Sequence, residues 1–597
     1  MRRRSLYRNT ILYACLLVVR DRSSDVFRVQ KVLLQPILSE FFLGSSVLLL
    51  SFSRKIRIMN IDSVLVTVGM GRYQFAGCVL FGFMIMYSNV SPVTYVFTAG
   101  DLKYRCAILG CDSPDPAERT YEPEWLRFTT PYREDTGLPR KCQRYSRNPA
   151  NSSGCGQSDF NRNTTELCHD GWVFEDNENT IGTEFGLMCE EKKWKLSMVG
   201  TVNNFGQFIG IPVSGIIADK FGRKFAMVFC AVTSAIICII QSFSVNYQMF
   251  LILELLSSIV SSGVYTVTFV LAMELVLPNH RVLYYSILEC FYPIGAILVA
   301  FIASLVKDWR LLLQIANIPG LLFLSYFWLT EESMRWLEMQ GKHDRVIDVL
   351  KRIAGINKKS LPVLPSNVQM ETINYDDEND AKYVNILKDV IRSPTILCRL
   401  IRCSLVWIAI TLVYYGLSIC STDIAGDKYL NFSLVSFVEI PACLLNWLIM
   451  EGMSRKMSLS CMFILCGFTS VLYNLVPDSL LLIKLSIFLI SKLAISIAFC
   501  IIYMLTVEIF PTRMRATLLS VCSMIGRIGS MLAPQTTLLA EYFGNYVTML
   551  VFGATALVAA AITMTLPESK NIKLPDTVVE AERIGIDRLL PENIENS

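Results

Sequence analysis

Four ionisable residues lie near the middle of long apolar segments: Glu289, Glu439, Lys492 and Arg527. A charged group inside a bilayer is costly, so such residues usually pair with one another or bind a charged solute. Two carboxylates and two cations at this depth predict buried ion pairs, a site for a small ion, or both. For Glu289 and Glu439 the two interpretations stay open at this point.

Aromatic residues recur at helical spacing in the same segments. Tyr265 and Phe269 are four residues apart, Trp407 and Tyr414 are seven apart, and Tyr292 comes three residues after the first carboxylate. Each pair therefore lies on one helix face. Aromatic rings attract an ammonium group by about 0.5–2 kcal/mol each. Helix packing is the better explanation for any single ring, but the set together with two carboxylates favours a cavity that binds a cation.

The elements that must position these residues are membrane helices. The chain has 597 residues, of which 53% are hydrophobic and only 18% are charged, and its mean hydropathy is +0.44. Its apolar runs are long enough to cross a bilayer core of about 30 Å, and segments this long must be helical. We number these twelve runs as spans 1–12; they cover residues of about 75–97, 196–216, 225–243, 249–273, 282–306, 311–329, 403–420, 432–450, 457–476, 481–507, 517–539 and 547–566.

The distribution of basic residues predicts the orientation of the spans. Short basic connections follow spans 2, 4, 8 and 10, and the positive-inside rule places them in the cytoplasm. Both termini and the polar segment 331–398, which contains an amphipathic helix at 342–356, then also lie in the cytoplasm. We expect a multi-pass protein of the plasma membrane.

The large loop at 98–194 carries the signs of an extracellular segment. Its six cysteines fit three disulfides with fifteen possible connectivities. It also contains two acceptor motifs for N-glycosylation, at Asn151 and Asn163, and a third at Asn431 lies at the outer end of span 8. The candidate disulfide cysteines are Cys106, Cys111, Cys142, Cys155, Cys168 and Cys189.

The two ends of the chain differ from the rest. Residues 1–58 contain apolar pieces too short to span and are interpreted as an N-terminal extension. Residues 59–330 and 399–569 then form two six-helix halves. The polar, acidic tail at 570–597 is expected to be disordered.

The two halves share motifs at a nearly constant offset. The stretch GIIADKFGRK (215–224) recurs in weakened form after span 8, so that Asp219 matches Glu451, 232 residues later. Glu274 and Glu508, each at the end of a span, are 234 residues apart. The pattern predicts two halves related in parallel, with a binding site at the midplane between them.

These motifs resemble the solute carrier 22 family of the major facilitator superfamily. The resemblance covers residues 59 to about 570. It implies a twelve-helix major facilitator fold with two pseudo-symmetric six-helix halves, and transport by alternating access. The segments that carry it are the six-cysteine loop, GIIADKFGRK (215–224), Trp309-Arg310, EESMRWL (331–337), YYGLS (414–418), VEIPA (438–442), VEIFPT (507–512) and GRIGSMLAP (526–534).

The resemblance also implies a gate at the cytoplasmic ends of the spans. In it, Gly215 allows close helix approach, Gly222 allows a tight turn, and Asp219 pairs with neighbouring charges. Such a network would hold the cytoplasmic side closed and break during turnover. The candidate gate residues are Gly215, Asp219, Gly222, Arg223, Lys224, Glu274, Arg281, Glu451, Arg455, Glu508 and Arg515.

The family resemblance places the central charges and rings around one cavity. Arginine at the position of Arg527 is typical of members that handle carnitine or anions. Acids and aromatic rings holding an ammonium head, with Arg527 holding a carboxylate, suit a zwitterion such as carnitine or a betaine. A plain organic cation is the rival, because Glu289 or Glu439 could neutralise Arg527. An organic anion transporter of the same family stays open as well, and so does a receptor or scaffold that does not transport.

Three departures from the family pattern affect the details but not the fold. The segment after span 6 lacks both prolines of the usual motif, and Ser454 replaces the glycine of the second gate loop. In the outer half of span 4, near the interface, Glu254 stands where the family usually carries arginine.

An enzyme is not expected from this sequence. The chain has three histidines, none of them in a span, and no metal-ligand spacing, P-loop or nucleophile motif. We expect no cofactor and no nucleic-acid partner, only the lipid bilayer and a small organic substrate. The coupling ion stays open.

Overall fold

The computed structural model describes residues 69–584, except for 116–117, 133–138, 149–153, 176, 278–279, 360–391, 425, 478, 512–514, 571–574 and 576–577. The predicted extension at 1–58, the acceptor at Asn151 and the last residues of the tail therefore lie outside the described residues.

Twelve long helices run through the described part of the chain, in agreement with the twelve predicted spans. Ten are long and apolar enough to cross a membrane by length and composition. Spans 2 and 11 are more polar, and they pack against each other between the two halves. The spans are Arg72–Ser88 with Val90–Thr98, Glu190–Phe221, Arg223–Gln241, Tyr247–Glu274, Arg281–Glu289 with Phe291–Val306, Trp309–Leu329, Pro394–Cys420, Lys428–Phe437 with Glu439–Gly452, Arg455–Tyr473, Leu481–Ile509, Arg515–Leu532 with Thr536–Phe543, and Asn545–Met564.

Spans 1, 5 and 8 are each interrupted near the middle, at Asn89, Cys290 and Val438. Each break precedes a proline by three residues. Proline has no N–H to donate to the carbonyl four residues earlier, so the helix is weakened at these places. Two of the breaks adjoin Glu289 and Glu439, which places both carboxylates at irregular backbone in the middle of the membrane part.

The spans pack as two halves, each around its own core. The first core comes from spans 1–6 and the two helices after span 6, with Phe432 of span 8, and the second comes mainly from spans 7–12. Between the halves, span 2 packs against span 11 and span 5 against span 8. This arrangement agrees with the duplication that the repeated motifs predict.

The loop between spans 1 and 2 folds into a small β-domain. Its strands are β1 (Tyr104–Cys106), β2 (Gln143–Arg147), β3 (Phe160–Leu167) and β4 (Trp172–Phe174). Strand β1 pairs with β4 and β2 with β3, both antiparallel. The predicted three disulfides are confirmed, and the fold selects one of the fifteen connectivities. The pairs are Cys106–Cys168, Cys111–Cys155 and Cys142–Cys189.

The two described glycosylation acceptors differ in exposure. Asn163 is exposed on β3, where a glycan has room. The prediction for Asn431 is wrong in this structure. Its side chain is only 4% exposed, and its Nδ2 donates a hydrogen bond to the Ile424 carbonyl at 3.1 Å. A glycan would have to attach to that same buried nitrogen.

The segment after span 6 forms two helices, Met334–Met339 and His343–Asn357, in agreement with the predicted amphipathic helix. The second helix buries Val346, Leu350 and Ile353. Its end is fixed to span 1, because the Asn357 side chain accepts the N–H of Tyr73 at 3.0 Å.

The expectation of a disordered tail is wrong for a short C-terminal helix, Val578–Arg583. Arg399 of span 7 donates to the carbonyls of Glu582 and Ile584 at 3.0 and 2.9 Å, where helix carbonyls have no partner within the helix. The apolar side of the helix is buried at Ala581. Arg399 thus binds the C-terminal helix to span 7.

Candidate functional site

Three of the central candidate residues, Tyr292, Tyr414 and Glu439, line a cavity between the two halves. Spans 1 and 5 line it from one side and spans 7 and 8 from the other, and its volume is about 40 Å³. A cavity of this size holds a few water molecules, whereas sites for organic ligands enclose about 300 Å³ or more. The site is therefore narrow in this conformation. We call this space, lined by Asn89, Tyr292, Tyr414, Tyr415 and Glu439, the central cavity.

Glu289 lies in the first half and has a neutral partner. Its carboxylate accepts a hydrogen bond from the Tyr265 hydroxyl. No cationic side chain of the described residues lies within ion-pair distance of it. The ring of Tyr265 packs against Tyr292 at 5.9 Å and Phe269 at 6.3 Å. The structure thus brings together the three predicted aromatic residues of this half and an acid without a counter-charge.

Glu439 lies in the second half and forms a buried ion pair. Its Oε1 is 2.9 Å from Nζ of Lys492, whose side chain is completely buried. The same Nζ donates to the Ser418 hydroxyl at 2.7 Å and lies 3.4 Å from the centre of the Tyr414 ring. The sequence predicted that Glu439 and Tyr414 hold the ammonium group of a substrate. In this structure Lys492 occupies that position.

Arg527 projects between the halves without a carboxylate partner. Its Nη1 donates to Oε1 of Gln207 on span 2 at 2.9 Å and to the hydroxyl of Tyr415 at 3.2 Å. Within the described residues no acid lies at ion-pair distance. A carrier of plain cations would need Glu289 or Glu439 to neutralise Arg527. In this structure neither acid pairs with Arg527.

The aromatic residues of the second half divide between cavity and core. Tyr414 lines the central cavity, but Trp407 is 1% exposed and donates its indole N–H to Thr506 at 3.1 Å. Trp407 packs on Phe499 and Tyr503 at 6.0 and 4.5 Å. In this conformation it supports the wall of the site from behind rather than forming its surface.

Sequence reasoning missed two polar residues of the site, Gln207 and Tyr415. Both are neutral, so the search for charges inside spans did not select them. The signal for Tyr415 was its position in the YYGLS motif, next to Tyr414. The signal for Gln207 was a polar amide side chain within an apolar span.

The candidate gate residues of the first half form a network at the ends of spans 2, 3 and 4. Arg223 lies 3.0 Å from Asp219 and 3.7 Å from Glu274. The carboxylate of Glu332, after span 6, accepts the backbone N–H groups of Arg223 and Lys224 at 2.9 and 3.1 Å. Glu332 thereby caps the first turn of span 3.

The second half repeats this network with equivalent residues. Arg455 pairs with Glu508 at 3.3 Å. Glu568, after span 12, accepts the N–H groups of Arg455 and Lys456 at 3.0 and 3.2 Å. Burial raises the pKa of Glu568, but hydrogen bonds from the N–H of Lys570, from Ser454 and from this helix start together hold that pKa below its usual range.

Serine hydroxyls complete both networks. Ser333 donates to Glu274, and Ser569 donates to Glu508 at 2.6 Å. The sequence analysis missed the two capping acids, Glu332 and Glu568. Their signal was the Glu-Ser dipeptide that recurs 236 residues later.

The structure changes the interpretation of three gate positions. A Cβ atom at Gly215 would meet nothing within 4 Å, so the close approach expected there is wrong in this conformation. Gly210 makes the close approach instead, since a Cβ atom there would lie 1.9 Å from the Ile259 carbonyl oxygen. Gly222 has a φ of +107° and turns the chain as predicted. Glu451 is exposed and has no ion-pair partner among the described residues.

The remaining gate candidates lie at the same ends. Arg281 donates to the carbonyl of Met273 at 3.2 Å, and Arg515 begins span 11. The ion pairs and caps described above each join spans of one half and tie that half together. The latch was expected while the cavity faces outward, so it stays a prediction.

Contacts between the halves concentrate at the end that carries the β-domain. There, Thr201 of span 2 donates to the Met531 carbonyl at 3.0 Å, and Gln535 donates to Thr201 at 2.8 Å. Glu178, at the end of the β-domain, pairs with Lys428 at the start of span 8. Nearer the middle of the spans, Arg527 donates across the halves to Gln207. The molecule is closed on the β-domain side.

Comparison with known proteins places this architecture among membrane transporters. The family model described as "Sugar (and other) transporter" matches residues 161–578. The chain is 29% identical over 519 residues to organic cation/carnitine transporter 2 of Mus musculus, covering 84% of this chain and 91% of that protein. It is 29% identical over 489 residues to solute carrier family 22 member 2 of Homo sapiens, covering 79% of this chain and 87% of that protein.

A solved structure shares the fold. The xylose transporter XylE from E. coli, in a partially occluded inward open conformation, superimposes with a TM-score of 0.54. The match covers 84% of this chain and all of that chain, at 15% sequence identity. Similarity at this identity supports the fold and the arrangement of the halves.

Proposed function

Because the chain belongs to the Sugar (and other) transporter family of the major facilitator superfamily, and its curated relatives are solute carrier 22 proteins, we propose that it carries a small zwitterion of the carnitine or betaine type. The chain is a multi-pass membrane transporter and not an enzyme. The charges and aromatic rings of the site support the choice of substrate class.

Two uncompensated charges of opposite sign carry this proposal. Within the described part of the chain, the Glu289 carboxylate has a tyrosine hydroxyl as its partner, and Arg527 has an amide and a tyrosine hydroxyl. Tyr292 lies within electrostatic range of both. A solute with an ammonium and a carboxylate group would neutralise both charges at once, whereas a plain cation or anion would leave one buried charge without a partner.

The aromatic rings favour a methylated ammonium group over a primary amine. Tyr265, Phe269 and Tyr292 surround the Glu289 side of the site. Ring faces attract a quaternary ammonium, which has no N–H to donate. In the second half Lys492 already satisfies Glu439, so we assign the ammonium to Glu289 and the carboxylate to Arg527.

Movement of the halves would open this site to one side at a time. We place the β-domain outside the cell, because it carries three disulfides and an exposed glycosylation acceptor. The conformation described is then closed to the outside. The two capped networks hold spans 2–4 and 8–10 at their cytoplasmic ends, so that each half can rotate as a unit.

Uptake of labelled carnitine and of tetraethylammonium, in cells that express the full chain at the surface, tests the proposal. We expect saturable uptake of carnitine. Arg527→Ala should reduce it by about tenfold or more, since a charged hydrogen bond to the carboxylate is worth about 1.5–3 kcal/mol. Arg527→Lys is the matched control and should retain part of the uptake.

Three results would contradict the proposal. Wild-type uptake of tetraethylammonium without carnitine would mean a plain cation carrier. Uptake of a simple organic anion that needs Arg527 but not Glu289 would mean an anion carrier. A chain that reaches the surface and takes up none of these probes would favour a receptor or scaffold.

A further inference from the structure

A second polar pocket lies beside span 4, towards the β-domain end, and Tyr95 lines both it and the central cavity. Spans 1, 3, 4 and 6 enclose it, and its volume is about 10 Å³, the space of roughly one water molecule. Glu254 forms one wall and is 5% exposed. Glu254 lies towards the outer end of span 4 as expected, but the expectation that it reaches the interface is wrong, because its carboxylate is buried within the first half.

The Glu254 carboxylate has two amide partners and no counter-charge. Asn203 of span 2 donates to its Oε1 at 2.6 Å, and Gln241 of span 3 donates to its Oε2 at 2.6 Å. No lysine, arginine or histidine of the described residues lies within ion-pair distance. An ionised carboxylate in such a place is costly, and two neutral amides do not remove its charge.

Gln241 provides an independent indication that something else binds here. Its side chain is completely buried, it lines the pocket, and its Oε1 has no hydrogen-bond partner in the described structure. A buried carbonyl oxygen without a donor is uncommon, because it loses its interaction with water without replacement. The hydroxyls of Ser257 and Thr98 line the same pocket.

We propose that the pocket at Glu254 and Gln241 is a binding site for a univalent cation, a proton or Na⁺, that neutralises the buried carboxylate. The oxygen atoms that line the pocket can bind either ion. A proton would convert Glu254 into a neutral acid that donates a hydrogen bond, and Na⁺ would be held by the carboxylate, amide and hydroxyl oxygens. The shared chemistry is the supply of one positive charge to an all-oxygen pocket.

The other titratable groups around the pocket are neutral at physiological pH or already paired. Tyr95 of span 1 and Cys238 of span 3 line it. Span 2 contributes the amide of Asn203, and span 6 contributes that of Asn317. The nearest cation of span 6, Arg310, pairs with Glu184 and donates to backbone carbonyls after span 3. Glu254 is thus the group whose charge the bound cation would change.

A chain of hydrogen bonds connects this pocket to the central cavity. Asn203 links Glu254 to Gln207, whose Nε2 donates to Oδ1 of Asn203 at 2.8 Å. The Oε1 of Gln207 in turn accepts from Arg527 at 2.9 Å. If Glu254 changes its charge, the two amides can reorient, and the hydrogen bond to Arg527 changes with them. The inferred cation site is thereby coupled to the residue that we assign to the substrate carboxylate.

Thermal unfolding of the purified full-length chain tests the site without any substrate. In one arm, sodium chloride replaces N-methylglucamine chloride at constant ionic strength; in the other, the pH varies without Na⁺. Saturation of one site should raise the Tm of a chain of this size by about 2 °C. We expect that rise with Na⁺, or with falling pH, in the wild type, and its loss in Glu254→Gln.

Glu289→Gln is the matched control, because it removes the other buried carboxylate without a counter-charge among the described residues and leaves the Glu254 pocket intact. It should keep the Na⁺ response and the part of the pH response that comes from Glu254. An Na⁺ response identifies Na⁺ as the ion, and a pH response that Na⁺ does not alter identifies the proton. If Glu254→Gln does not fold, Gln241→Leu replaces it and should weaken the apparent ion affinity about tenfold or more.

The inference is overturned if wild type and Glu254→Gln respond alike, or if Glu289→Gln alone loses the response. Only the coupling to flux rests on the proposed function. For that step, Gln207→Leu breaks the hydrogen-bond chain outside the Glu254 pocket, so it should keep the thermal response while the ion dependence of uptake is lost. Failure of every uptake assay would contradict the proposed function but leave the thermal result unchanged. A normal ion dependence of uptake in Gln207→Leu would contradict the coupling.

Discussion

The buried ion pair between Lys492 and Glu439 gives the sharpest test of the site's electrostatics. Lys492→Met keeps the length and apolar volume of the stem and removes the ammonium group. The Lys492 side chain is 0% exposed and that of Glu439 is 14% exposed, with Nζ and Oε1 at 2.9 Å. The variant leaves a carboxylate inside the membrane part without its cation, and removal of one partner of a buried pair costs about 3–5 kcal/mol.

The size of the effect on thermal unfolding follows from the size of the chain. An unfolding entropy of about 2.1 cal/mol/K per residue gives about 1.25 kcal/mol/K for 597 residues. A loss of about 3–5 kcal/mol should therefore lower the Tm by about 2–4 °C. The double variant Lys492→Met with Glu439→Gln replaces both charges by neutral groups and should recover most of the loss, because a neutral pair has no uncompensated charge.

The assay is thermal unfolding of the two single variants, the double variant and a control. Lys484→Met makes the same chemical change eight residues earlier in span 10. Lys484 is half-buried near the end of the span, above the ring of Tyr473 at 4.8 Å. It should lose less than about 1 kcal/mol. If the double variant loses the sum of the two single losses, Lys492 and Glu439 are not coupled and the reasoning is wrong.

The remaining predictions concern the gate networks and the glycosylation acceptors. Glu332→Ala and Glu568→Ala each remove a cap from a span and should each lower the free energy of unfolding by about 2 kcal/mol. Glu331→Ala is the control: it removes an ion pair with the exposed Arg352 and should cost less than about 1 kcal/mol. The pKa of Glu568 is lowered in the folded chain, so its contribution to stability is fully present above the ordinary carboxyl value of 4.5. That contribution is lost as the pH falls through the lowered folded value. A Glu568→Ala variant whose stability depends on pH in this range as the wild type does would contradict this. Asn163→Gln should increase the electrophoretic mobility of the chain from secretory cells, whereas Asn431→Gln should leave it unchanged, and a shift with Asn431→Gln would show that this nitrogen is accessible.

Local pattern was sufficient to predict the membrane helices and the disulfide-bonded loop. Apolar runs of about 20 residues have one stable form in lipid, so their existence follows from composition. The pairing of six cysteines does not follow, because Cys106 and Cys168 meet only after β1 and β4 have paired. Burial of Asn431 was also beyond the sequence, since its acceptor motif is identical whether the nitrogen faces water or the Ile424 carbonyl.

The types of residue at the candidate site could be predicted, but their partners could not. An acid or a base inside a span is visible in the sequence because its cost in lipid is independent of its neighbours. Whether it is compensated depends on distances of about 3 Å between spans that are far apart in the chain. Glu289 and Glu439 look alike in sequence, yet the structure pairs one with Lys492 and leaves the other with Tyr265.

By itself, the sequence determined the class of this protein: twelve spans, a duplicated architecture, a disulfide-bonded loop and a set of costly charges in the membrane. These properties depend on composition and on repeated local motifs. Only the tertiary structure decided which of the charges are free to bind a solute or an ion. Among the described residues, Glu254, Glu289 and Arg527 are left without counter-charges, because the packing of spans 2, 3, 4, 5, 7 and 11 surrounds them with amides and hydroxyls.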